Sequence, residues 1–307
     1  MSAEGAAPQL GWNVAHDLSQ LVEYQFMVNA LVAGTIVASM AGAIGWVMVL
    51  RREAFAGHTL AMMAFPGASG AALVGVPAAW GYFAFCSVGA LAIGRLSASG
   101  RSAWREESAG IGAVQASALA LGFLFVSLYG GVLGSIESLL FGNILGVSDG
   151  EVWLLGAVAA VSLAVLAAIA RPLLFASVDP EVAGARGLPV PLLSSAFLLL
   201  LGLAVAATSQ ITGPLLVFAL LVMPAVTAQA ITARPALSLL LTVALGLAVT
   251  WLGLGISYFS AYPAGFFIST IAFALYVFVR AGVVVRTAIQ GRRAQPLPAP
   301  PPRGVIA

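Results

Sequence analysis

The chain has 307 residues, 61% of them hydrophobic and 8% charged, with a mean hydropathy of +1.04; this composition excludes an ordinary soluble domain and requires membrane spans. The net charge of +2 rests on thirteen arginines and no lysine, strung along separate loops rather than gathered in one basic helix, which excludes a nucleic-acid-binding signature. A single cysteine, Cys86, excludes an internal disulfide and a cysteine-based zinc cluster.

Residues 1–25 carry Glu4, Asp17 and Glu23 and lack the basic and apolar regions of a cleavable signal, so they read as an extracytoplasmic N-terminal tail. His16 in that tail would either attract cations or simply be solvated. A helix crosses the hydrocarbon with about 20 apolar residues. On that measure the chain predicts spans at 27–50, 58–75, 78–95, 109–130, 152–170, 192–209, 213–233, 236–256 and 264–281. The second is short and holds Pro66, Gly67, Gly70 and Gly75. The sixth and seventh are joined only by Ser209, Gln210, Ile211 and Thr212, so one of them is re-entrant in an eight-span alternative. Segment 131–151 does not cross; it carries Glu137, Asp149 and Glu151, and 136–145 reads as a short helix on the outer face. In the first span Gly34, Ala38 and Gly42 form a small-residue stripe suited to close helix packing. The fold class is therefore an all-α polytopic membrane protein with eight or nine transmembrane helices over 26–284. Residues 285–307 are expected to be a disordered cytoplasmic tail, with five prolines between Ala294 and Arg303.

On the nine-span reading every arginine lies on one side. They are Arg51 and Arg52; Arg95, Arg101 and Arg105; Arg171 and Arg186; Arg234; then Arg280, Arg286, Arg292, Arg293 and Arg303. The positive-inside bias makes that side cytoplasmic. The N-terminus is then outside, the C-terminus inside, and the membrane is the inner one.

ATP hydrolysis cannot reside in this chain, because a phosphate loop needs a lysine and no loop is long enough for a nucleotide-binding domain. No Asp or Glu falls within a predicted span, which argues against a proton relay. A permease driven by a separate ATPase is favoured over a secondary carrier or channel. Loop 171–191 suits such an engine. Asp179 caps a helix begun by Pro180, Glu181 adds negative charge to its first turn, Arg186 complements its last turn, and Gly187 takes the left-handed position. Local sequence alone also admits an ordinary capped loop helix.

Several segments in order resemble the ABC-3 family, the integral permeases of zinc, manganese and iron ABC transporters. They include 49–57 with Arg51 and Arg52, 65–67, and 140–148 reading Leu-Phe-Gly-Asn-Ile-Leu-Gly-Val-Ser. Arg171 with Pro172, Asp179 with Glu181, 187–189, and 213–225 with Thr227 complete the set. The resemblance runs over 24–280. It implies a permease dimer, two cytoplasmic ABC ATPase subunits and an extracytoplasmic solute-binding protein. It also implies that 179–189 is the ATPase coupling helix, with Asp179, Glu181, Arg186, Gly187 and Leu188. Glu137, Asp149 and Glu151 become candidate docking charges for the binding protein, or outer residues of no such role.

The family's usual pattern after the arginine pair places Asp and His one turn apart as cation ligands. Here those positions hold His58 and Met62, still on one helix face. An imidazole–thioether pair weighs against manganese, which prefers oxygen, and places zinc first. The alternatives are a backbone hydrogen bond for His58 and core packing for Met62, with metal held only weakly in transit. Ser209, Gln210, Thr212, Thr227 and Gln229 are further polar groups for the path, or else helix-packing residues; Pro224 frees a backbone carbonyl there. The chain needs no cofactor; the metal is cargo. A metal chelate or another small solute is the alternative cargo.

Overall fold

The computed structural model describes residues 21, 23–98, 104–129, 142, 144–214, 216–260 and 262–293. His16, Glu137, most of the expected outer helix at 136–145, and the proline-rich stretch lie outside them.

Every described element is helical. The order is α1 (Gln25–Leu50), α2 (Ala54–Val74), α3 (Ala78–Ala98), α4 (Trp104–Tyr129), a 3-10 turn at Ile144–Gly146, α5 (Asp149–Val178), α6 (Pro180–Ala185), α7 (Val190–Thr212), α8 (Val217–Ile231), α9 (Pro235–Tyr258) and α10 (Ala264–Arg293). Each of the nine predicted spans overlaps one helix, the seventh being the short α8, and the predicted loop helix is α6. Six helices, α1, α4, α5, α7, α9 and α10, are long and apolar enough to cross a membrane. The chain is thus a multi-pass membrane protein. Helix α10 continues to Arg293, so 285–293 is helix where the sequence places the start of the tail.

Helix α1 is the central strut, with 67% of its span buried. Its small-residue stripe faces α9: Gly34 lies against Thr250 and Leu254, and Gly42 against Val243. A close backbone approach joins α2 to α3, where Gly67 and Gly81 each face the other's carbonyl. Without water, such contacts replace hydrophobic driving force with dispersion, so a β-carbon at either position would push the helices apart.

The seventh predicted span departs from expectation. Residues 209–212 are not a connector but the last turn of α7. There Ser209 Oγ donates to the Val205 carbonyl at 2.7 Å and Thr212 Oγ1 to that of Thr208 at 3.2 Å. The chain turns at Gly213, whose φ of 74° only glycine adopts readily, followed by Pro214, and both are buried. Helix α8 has 15 residues, about 22 Å of helix against a hydrocarbon core of about 30 Å. It begins beside His58 of α2 and passes Gly45 of α1, which abuts the Leu221 carbonyl. The α7–α8 turn therefore lies within the bundle.

Candidate functional site

Four polar regions stand out among the described residues. The first is the junction between α5 and α7. Helix α5 ends at Val178, and Asp179 serves both as its C-cap and as the N-cap of α6, accepting the Val182 amide at 3.0 Å. Pro180 fills the first helical position, where its missing N–H costs nothing. At the other end Gly187, at φ 81°, lets its own amide reach the Gly184 carbonyl at 2.9 Å and the Leu188 amide reach that of Ala183 at 3.1 Å. Ala183 is fully buried and Leu188 packs on the core, while Pro180, Glu181, Val182, Gly184 and Arg186 stay exposed. Arg186 does more than complement the last turn: its guanidinium lies over the Phe175 ring of α5, 5.6 Å from the centroid. The predicted residues thus assemble one short helix, fixed on its inner side and bare on its outer side.

The second region is the start of α2. His58 is half-buried, and its ring meets Phe218 of α8 edge-on, with centroids 5.6 Å apart and planes at 83°. Met62, one turn on, is 7% exposed. Thr59 Oγ1 lies 3.4 Å from Gln115 Oε1 of α4. Among the described residues no group of three or more His, Cys, Asp or Glu side chains could hold a metal ion. This face can offer one imidazole and one thioether, a donor set for transient contact rather than for storage.

Most other polar candidates serve their own helices. The hydroxyls of Ser209, Thr212 and Thr227 donate to carbonyls one turn back. Gln229 Nε2 donates to the Trp46 carbonyl at 3.1 Å and ties α8 to α1. Gln210 differs, since its buried Nε2 has no hydrogen-bond partner among the described residues.

The third region heads α5. Ser148 and Glu151 form a capping box: the Ser148 amide donates to Glu151 Oε2 at 2.8 Å, and the Glu151 amide donates to Ser148 Oγ at 3.4 Å. Asp149 accepts from Asn29 Nδ2 at 2.6 Å, binding α5 to the start of α1. Both carboxylates therefore have local structural work, although Asp149 remains exposed.

Sequence reasoning missed a fourth feature. Arg51, read as an inside charge and as part of the 49–57 segment, is a buried knot. Its guanidinium pairs with Glu53 at 2.8 Å, donates to Ser177 Oγ at 3.0 Å and Ser194 Oγ at 2.9 Å, and stacks over Phe197 at 5.3 Å. Local sequence signalled the charge but not partners on α5 and α7.

The sequence profile described as the ABC 3 transport family matches residues 23–282. A manganese transport system membrane protein, MntC, of Halalkalibacterium halodurans is 32% identical over 292 residues, covering 94% of this chain and 99% of that one. A probable iron transport system membrane protein of Haemophilus influenzae is 29% identical over 245 residues, covering 78% and 88%. Among solved structures, PsaBC from Streptococcus pneumoniae in complex with Fab superposes with a TM-score of 0.77 at 28% identity, covering 87% of this chain and 95% of that one.

Proposed function

The chain belongs to the ABC 3 transport family of membrane permeases, and from that premise we propose that it is the permease of an importer that moves a divalent transition-metal ion with energy from a separate cytoplasmic ABC ATPase. The observation that carries this is α6. A capped six-residue helix sits between two long apolar helices, with Ala183 sunk in the core and Glu181, Val182 and Arg186 exposed. An ATPase cleft that grips the exposed face moves α5 and α7 through the buried one. Closure of an ATPase pair on two copies of this permease would rock the helices between outward and inward access.

The arginine sidedness supports an extracytoplasmic N-terminus and a cytoplasmic C-terminus. Because α7 leaves and α8 returns on the same side, the depth of their turn does not alter that orientation. An extracytoplasmic solute-binding protein would dock near the head of α5, where Asp149 and Glu151 supply negative charge.

Relatives carry the names of manganese and iron systems, and none of those above carries zinc, which stood first on donor softness alone. Imidazole suits iron as well as zinc, whereas manganese prefers oxygen donors. Iron meets both constraints, so our order of cargo is iron, then zinc, then manganese. The competing reading, a secondary carrier, needs no second subunit. Affinity purification of the membrane-extracted chain with its genomic neighbours separates the two: a stoichiometric ATPase partner is expected, and its absence under mild detergent would favour the carrier.

A further inference from the structure

The same arginine that ends α1 reaches both flanks of α6. Arg51 Nε donates to Glu53 Oε1 at 2.9 Å, Nη1 to Ser177 Oγ at 3.0 Å, and Nη2 to Ser194 Oγ at 2.9 Å. Its side chain is only 8% exposed, and its charge stacks on Phe197, which is wholly buried. Ser177 belongs to the last turn of α5, just before the Asp179 cap. Ser194 belongs to the first turns of α7, just beyond Leu188. The fork therefore bridges the two helices that carry α6.

At its root, the α1–α2 turn is equally constrained. Arg52 holds φ at 62°, a left-handed conformation unfavourable for a residue with a β-carbon. It is stabilised by the Arg52 amide on the Val49 carbonyl at 3.1 Å and the Glu53 amide on that of Met48 at 3.0 Å. Glu53 is the N-cap of α2, and His58 follows within the first turns of that helix. A guanidinium with fixed planar donors is a stiff connector, unlike a hydrated ammonium. Any displacement of α6 carried by Ser177 and Ser194 is thus delivered to the head of the helix that bears His58.

We propose that Arg51 is the positioning residue that transmits motion of α6 to the start of α2, coupling ATPase closure to access at the His58 face. This rests on the transport reading above. The test uses the full permease with its ATPase and binding protein in proteoliposomes, and reads metal transported per ATP hydrolysed together with retention of the ATPase. Arg51→Ala should lower that ratio at least tenfold while basal hydrolysis and ATPase retention stay at wild-type levels. Arg51→Lys should recover part of it, because an ammonium cannot hold both serines, the carboxylate and the ring. The double variant Ser177→Ala and Ser194→Ala leaves the ion pair intact and should lower the ratio about threefold. It decides the matter alone should Arg51→Ala fail to insert. An unchanged ratio in the variants would overturn the proposal, as would loss of the ATPase from the serine variant, since Arg51 would then only brace the docking helix. Absence of ATP-driven uptake in the wild-type complex would instead sink the transport reading itself.

Discussion

Removing the cap of α6 is the sharpest perturbation available, because so short a helix has little else to hold it. Isolated helices below about 12 residues are marginal in water, and α6 has six. It stands on its two ends and on buried Ala183. In Asp179→Ala the Val182 amide loses its acceptor at 3.0 Å, a loss of about 1 kcal/mol for an N-cap. In Gly187→Ala the left-handed residue at φ 81° acquires a β-carbon, which costs about 1–2 kcal/mol. If the folded helix is what the ATPase grips, Asp179→Ala weakens ATPase binding about fivefold, since 1.4 kcal/mol corresponds to tenfold. The double variant weakens it by about 2–3 kcal/mol, roughly thirty- to a hundred-and-fortyfold, if the ends act independently. The assay is titration of purified ATPase onto the solubilised permease, with amide hydrogen exchange over 181–186 measured alongside. Wild-type affinity from a permease whose 181–186 amides exchange freely would show that the folded helix is not what the ATPase grips.

Glu181→Lys places a cation in the first turn of α6, against the helix dipole, and reverses the charge of the exposed face. Uptake should disappear while membrane insertion is kept, and normal uptake in cells would refute a coupling role. His58→Ala should reduce metal flux more than expression and should affect iron and zinc alike; unchanged flux of both would leave His58 as a packing partner of Phe218. Gly81→Val forces a branched side chain onto the Gly67 carbonyl of α2, an overpacking of about 1–3 kcal/mol. Its thermal unfolding in detergent should fall by several degrees, and an unchanged midpoint would contradict the close α2–α3 contact.

Local chemistry was the legible part. Hydrophobic runs marked eight long helices and the short α8, and Asp179, Pro180 and Gly187 marked α6, because capping depends on neighbours in sequence. The α7–α8 joint was misplaced, although Gly213 followed by Pro214 is the usual signal for a helix stop. The polar run at 209–212 looked like a loop because serine and threonine hydroxyls can bond their own helix and hide there. The depth of α8 was not legible, since Phe218 meets His58 only in the folded bundle. Arg51 illustrates the same limit: its charge was readable from sequence position alone, but its partners Ser177 and Ser194 lie far along the chain. The structure keeps His58 and Met62 one turn apart on α2, but the donor chemistry of such a pair does not select a cargo.

The central claim is that ATP hydrolysed by a second subunit drives metal through this chain. Flux of radiolabelled iron, zinc and manganese into proteoliposomes, with and without the ATPase, tests it most directly. Uptake is expected only when permease, ATPase, binding protein and ATP are all present, with iron and zinc ahead of manganese. Gradient-driven uptake by the permease alone, unaffected by ATP, would contradict it.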